Sequence, residues 1–179
     1  MKKLIWLLTI LIILPACSII AKTPEATLTP TAISLKGLDL SKLAFGENDL
    51  PPGYSPSQIR IKLSDISKGV PEPVNWFSQE IAKDGNAGGI VDIVVYNSQA
   101  EAKAAYDVMI NTMINSNPSN PGIGDESLAT SLFMTAVDVA FWHCKAAAHV
   151  QFFSTINKDY AIAYMVQLDK RLKDVVCIE

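Results

Sequence analysis

The sequence predicts an α+β fold, an antiparallel sheet with two main helices packed on it. Three observations carry that expectation. Strand-like and helix-like runs come in blocks, in the order strands, helix, strands, helix. Neighbouring strand-like runs are joined by links of hairpin length, which argues against a doubly wound parallel sheet. Each helix pattern opens on a side-chain cap and repeats its apolar residues at three-and-four spacing.

Met1-Lys2-Lys3 is a charged lead, residues 4–14 are apolar apart from Thr9, and Leu14-Pro15-Ala16-Cys17 follows, with small Ala16 giving a peptidase room to cut. As a helix the apolar run would rise about 16 Å, against a hydrocarbon core of roughly 30 Å. Pro15 disfavours carrying that helix on through Ile19 and Ile20. These residues resemble the signal of a bacterial lipoprotein. The resemblance implies a signal peptide at 1–16, cleavage before Cys17, diacylation of its sulfur, and a lipid-anchored place on the extracytoplasmic face of the cell membrane. Two or three acyl chains hold a protein on a bilayer stably where one chain is marginal, so Cys17 is expected to be the anchor and the bilayer a partner. A plain secretory signal, which would leave Cys17 without a role, and an uncleaved anchor are the competing readings.

The chain carries 15 basic and 18 acidic residues, and losing Lys2 and Lys3 makes the balance more acidic still. No basic cluster remains to track a phosphate backbone or to grip anionic lipid, so nucleic acid is not an expected partner. Residues 22–34 read KTPEATLTPTAIS, dominated by Thr, Pro and Ala without apolar periodicity. Such a segment buries too little surface to fold, and 17–34 is expected to be a lipidated tether ahead of a domain at 35–179.

Within that domain Leu38, Leu40 and Leu43 lead into Pro51-Pro52-Gly53, a sharp turn in which proline presets φ and glycine permits φ > 0. Ile59, Ile61 and Leu63 alternate with Arg60 and Lys62, a half-buried strand pattern. Residues 74–82 and 89–96 are further strands, with 83–88 as the hairpin loop between them. The glycines of that loop match no phosphate-binding spacing. Ser98-Gln99-Ala100-Glu101 is a capping box. The helix it opens should bury Ala102, Ala105, Tyr106, Met109, Ile110, Met113 and Ile114, and stop where 115–121 brings Asn and Pro. Strand-like runs follow at 128–134, 137–144 and 148–155. Asn157 caps a last helix at 159–174 that should bury Ala161, Tyr164, Met165, Leu168, Leu172 and Val175.

Asp49-Leu50-Pro51-Pro52-Gly53-Tyr54, Val94-Val95-Tyr96 followed by residues 98–106, Gly124-Asp125-Glu126-Ser127, and a late hairpin before a helix ending in Leu168-Asp169-Lys170-Arg171-Leu172 form a loose pattern across the domain. The pattern resembles bacterial extracytoplasmic lipoprotein domains, including the sensor domains of mycobacterial serine/threonine kinases and small lipoproteins with a PsbP-like fold. That resemblance implies an α+β sandwich with a binding or sensing role. It supplies no catalytic residues. Such domains often carry a Gly-Asn hairpin in the late strand pair, where Lys145-Ala146-Ala147 stands here.

Asp125 and Glu126 are adjacent carboxylates, and at the head of a strand alternation would point them to opposite faces, a poor geometry for paired acid and base. Asn115, Asn117, Asn120 and Asp125 lack the spacing of a calcium loop, and Ser127 lacks a nucleophile elbow. Trp76, Phe77, Phe141, Trp142, Phe152 and Phe153 are expected to be sheet core rather than a ligand cage. Cys144 and Cys177 are expected to form a structural disulfide outside the cytoplasm, with two buried thiols or a reactive or metal-bound cysteine as alternatives. His143 and His149 would face one another only if 145–147 were a three-residue hairpin loop, and even then two imidazoles make an incomplete metal site. Taken together, these residues predict a lipid-anchored domain that binds an unidentified ligand or envelope protein, uses no cofactor, and is not an enzyme. An assembly factor, or an enzyme built around Asp125, Glu126 or His149, is the alternative.

Overall fold

The computed structural model describes residues 34–113, 116–132, 136–153 and 156–177. The expected signal peptide and nearly all of the expected tether therefore lie outside the described residues, as does Ile114 of the first helix pattern. Among the described residues the fold is α+β: one open antiparallel sheet of six strands and two long helices. The strands are β1 (Tyr54–Ile59), β2 (Asn75–Lys83), β3 (Asn86–Val95), β4 (Glu126–Leu132), β5 (Ala136–His143) and β6 (Ala146–Phe153), arranged β1-β2-β3-β6-β5-β4. The helices are α1 (Gln99–Thr112) and α2 (Lys158–Val176). Among the described residues no helix is long and apolar enough to cross a membrane.

One helix packs on each face. Ala161, Met165, Leu168, Leu172 and Val176 of α2 meet Val91, Ile93, Val139, Phe141, Val150 and Phe152. On the other face Ala102, Ala105, Tyr106 and Met109 of α1 meet Val94, Ala140 and Ala147. The period-two alternation of the central strands explains this division, since Val91, Ile93 and Val95 point one way and Asp92 and Val94 the other. With both faces covered, β3, β5 and β6 read as nearly continuous apolar runs, a pattern more usual in parallel sheets.

The caps are where the sequence places them. Ser98 Oγ accepts from the Glu101 N–H at 3.3 Å and donates to the Glu101 carboxylate at 2.8 Å. Asn157 Oδ1 accepts from the Asp159 N–H at 2.9 Å, so α2 begins one residue earlier than its apolar pattern suggests. Its core face ends on Val176, with Val175 and Tyr164 only partly buried.

Three expectations are corrected. The strand expected from Ile59, Ile61 and Leu63 is instead β1, and it starts at Tyr54. Ile59 and Ile61 are 58% and 95% exposed, and Tyr54 is the buried residue, its ring edge-on to Phe152 at 5.7 Å. A register shift between Pro56 and Ile59 changes which side chains face inward, and the chain leaves the sheet once the Arg60 N–H has bonded Ser78 O. Residues 83–88 are not a six-residue loop, because Asp84 and Gly85, both at positive φ, make the turn and Asn86 already pairs with Lys83. Gly88 sits at the accompanying bulge, where a Cβ would lie 2.7 Å from Lys83 N. Finally, the late hairpin turns on Cys144 and Lys145 rather than on 145–147, with Cys144 at φ 50° and His143 paired with Ala146.

The segment before β1 runs as short 3-10 turns, including Leu40–Leu43 and Glu47–Asp49, and closes over the α2 side of the sheet. Leu40, Leu43 and Phe45 are buried there, and the Gln79 amide bonds both backbone polar groups of Phe45. Arg171 of α2 donates to Asp49 at 2.6 Å and to Ala44 O at 3.3 Å, tying the segment to the helix. Burial alone would push the Asp49 carboxyl up, but the Arg171 guanidinium and the Gly46 N–H outweigh it and hold it below the usual carboxylate range. A carboxylate depressed in the folded state stabilises above its unfolded value of about 3.9, and loses that contribution as pH falls through the folded value. Asp49→Asn should therefore lower stability at neutral pH and progressively less as pH drops below about 4. Denaturant midpoints of both proteins across pH 2–7 check this; a gap that stays constant would remove Asp49 from the acid transition.

Candidate functional site

Two regions gather polar side chains on the α1 side of the sheet, and a third lies at the end of α2. The first is buried. Asp92 of β3 is fully enclosed, and its Oδ1 accepts from Ser78 Oγ at 2.6 Å. Its Oδ2 accepts from Ser67 Oγ at 2.7 Å, from the Ser64 N–H at 3.1 Å and from Ser64 Oγ. The carboxylate thus anchors the β1–β2 connection, through the 3-10 turn Asp65–Ser67, beneath α1. On the same face His149 pairs in register with Asp92, and its Nε2 lies 3.3 Å from Asp138 Oδ1. Thr130 stands opposite Asp138 on the neighbouring strand. Neither ring nitrogen of His149 makes a hydrogen bond of good geometry among the described residues, nor do Asp138 Oδ1, Thr130 Oγ1 and Trp142 Nε1.

The second region is open. Beyond α1, which lies over β3, β5 and β6, the flank of the sheet over β1, β2 and β3 holds a groove of about 400 Å³. Ser57, Arg60, Glu80, Asn86, Ile90 and Phe153 line it. A hollow of about 300 Å³ adjoins it between Gln58, Ile59, Ile61 and Lys62. Arg60 and Glu80 border both, with Arg60 Nη1 on Glu80 Oε1 at 2.9 Å and Gln58 Nε2 on Glu80 Oε2 at 2.9 Å. The wall therefore offers a guanidinium and a carboxylate beside Ile90, Phe153 and the exposed Ile59 and Ile61. Sequence reasoning missed it. Arg60 reads as the polar member of an alternating strand, and its partner lies 20 residues away on a strand whose register the sequence does not disclose.

The third region joins the β5–β6 turn to α2. Cys144 and Cys177 are disulfide-bonded, their Cα atoms 5.3 Å apart. His143 Nδ1 lies 2.6 Å from Asp169 Oδ1 of α2. His143 therefore faces α2 while His149 faces α1, so the structure does not bring the two histidines together for a shared metal. The reason is the turn, which at Cys144-Lys145 places Ala146 opposite His143 and Ala140 opposite His149.

Asp125, Glu126 and His149 are also held apart. Asp125 Oδ2 accepts from the Cys144 N–H at 2.9 Å, Glu126 pairs with Lys103 of α1 at 3.2 Å, and His149 is enclosed beneath α1. Lys103 is raised above the usual lysine range by its hydrogen bond to Asp107, with Glu126 adding to the effect. Of the six aromatics expected in the core, Phe77, Phe141 and Phe152 are buried, while Trp76, Trp142 and Phe153 are partly so.

Asp92→Ala would leave the Ser64 N–H and three hydroxyls without their shared acceptor. Unfolding free energy should fall by on the order of 3 kcal/mol or more, whereas the exposed Glu126→Ala should cost under about 1 kcal/mol. Equal denaturant midpoints for the two variants would show that the serines find other partners.

Comparison of the chain with protein-family models, with curated proteins and with solved structures finds no match.

Proposed function

We propose that this protein is a lipid-anchored, extracytoplasmic domain that binds a small ligand in the groove at Arg60 and Glu80, and that it is a binding or sensing module rather than an enzyme. The observation that carries the reading is the open flank itself. The sheet's α1 side is roofed only in part, and the unroofed part is a hollow bordered by one cation, one anion and apolar surface. Such walls suit a ligand with a charged or strongly polar end and an apolar body, since the polar groups orient it and the apolar ones contribute area. The separate placement of Asp125, Glu126 and His149 supports a non-catalytic role. The lipoprotein-type signal at residues 1–17 and the resemblance to sensor-type lipoprotein domains support the location.

A second reading has its own observation. Ile59 and Ile61 are exposed beside an edge strand, which suits a docking surface for an envelope protein.

The anchor is tested by Cys17→Ser. Wild type should take up labelled fatty acid and sediment with membranes, and the variant should not take up label; equal labelling of the two would reject lipidation at Cys17. The groove is tested by native mass spectrometry of protein purified gently from its host. Wild type should carry a small-molecule adduct that Arg60→Ala loses or binds at least about tenfold more weakly. An adduct retained equally by Arg60→Ala would move the site elsewhere. An envelope protein recovered with wild type but not with Ile61→Asp would favour the docking reading.

A further inference from the structure

We propose that Cys144, Cys177 and His143 form a thiolate–imidazole zinc site whenever the disulfide between the two cysteines is reduced, so that one corner of the fold alternates between a covalent bridge and a metal clamp. The proposal does not rest on the groove or on its ligand.

Geometry carries it. One ligand atom from each of His143, Cys144 and Cys177 lies within 4.8 Å of the other two, and all three residues are half-buried. Three elements converge to place them: the end of β5, the β5–β6 turn, and the C-terminus of α2. Two thiolates on one tetrahedral zinc ion stand about 3.7 Å apart, at zinc–sulfur distances of about 2.3 Å. The Cα atoms of the two cysteines stand 5.3 Å apart, so both side chains reach one common point. Two sulfurs and one imidazole make a soft donor set that selects zinc or copper(I) over calcium and magnesium.

A second, independent feature points to a metal. A disulfide needs no imidazole beside it, yet His143 is held there by a carboxylate, with Nδ1 2.6 Å from Asp169 Oδ1 and both side chains mostly buried. Metal-ligating histidines are usually fixed in this way, because the carboxylate sets ring orientation and raises the basicity of the imidazole. Asp169 is thus a positioning residue. Asp125, by accepting from the Cys144 N–H at 2.9 Å, holds the turn on which one thiol is displayed. Three protein ligands leave a fourth zinc position for water or another donor.

The chemistry balances with a dithiol as reductant. The S–S bond breaks, two electrons and two protons pass to Cys144 and Cys177, and the dithiol becomes a disulfide. Zinc then displaces both thiol protons. Once oxidised, this corner has no thiolate to offer, so bridge and metal exclude one another. Either one links α2 to the β5–β6 turn.

The experiment uses the full chain carrying Cys17→Ser in detergent, so that Cys144 and Cys177 are its only cysteines, with a chromophoric chelator competing for zinc. Reduced protein should bind one equivalent of zinc, and oxidised protein none of comparable affinity. His143→Ala should weaken binding at least about 100-fold and Asp169→Asn by about tenfold. Zinc bound by reduced protein no more tightly than by the Cys144→Ser, Cys177→Ser double variant would overturn the proposal. So would equal affinity in His143→Ala. Should the reduced, metal-free chain prove unfolded by near-ultraviolet circular dichroism, zinc must restore the native spectrum; failure to restore it overturns the proposal as well.

Discussion

Everything in this domain depends on burying the middle of one sheet from both sides. β6 is the strand that makes this feasible. It runs between β3 and β5, and Ala146, Ala147 and Ala148 are all fully buried, two facing α2 and one facing α1. Small side chains on both faces let a helix settle close on each without leaving voids. The cost falls on the polar groups of those strands, which have no solvent to turn to. Asp92 meets that cost with four donors, three of them serine hydroxyls, and thereby gains a structural duty as the anchor of the β1–β2 connection. His149, Asp138 and Thr130 meet it less completely, which makes the α1 face the less settled half of the core.

The same constraint explains what was legible in the sequence. Residues whose role is set by local spacing were readable: the cap at Ser98, the cap at Asn157, and most of the buried stripe of each helix, Ile110, Tyr164 and Val175 being only partly buried. Readable too was the block order that gives an antiparallel sheet. Residues whose role is set by register were not. A shift of one position in a hairpin moves every side chain to the other face, and register depends on turn geometry that composition only suggests. Three alanines after Lys145 made a longer loop plausible, yet all three are fully buried within β6. The turn falls instead on Cys144, a residue not suited by preference to positive φ.

That displaced turn decides the chemistry of the corner. With Cys144 at φ 50°, the side chain of Cys144 reaches Cys177, while His143, one position earlier, keeps the α2 face and meets Asp169. The left-handed backbone of a non-glycine residue costs something on the order of 1 kcal/mol, and it persists because its surroundings over-determine it. Here those surroundings are visible: the Asp125 carboxylate on the Cys144 N–H, the covalent link to α2, and the Tyr96 N–H on Lys145 O.

The two edges of the sheet also differ in how they are finished. β1 is an edge strand carrying Pro56, which can stand there because the outward N–H has no strand to serve. The register shift beside it throws Ile59 and Ile61 outward, and Arg60, just past its end, reaches inward to Glu80, so the groove and its apolar rim share one origin. At the opposite edge β4 is partly capped by the bridge between Ser119 and Ala129 and by the Lys103–Glu126 pair to α1. One edge is covered and the other is shaped. An edge strand that ends on an exposed isoleucine, with a second exposed isoleucine just past it, invites association unless something limits it. The Arg60 guanidinium and Glu80 carboxylate stand beside those isoleucines, so a partner covering this edge would also have to match their charges.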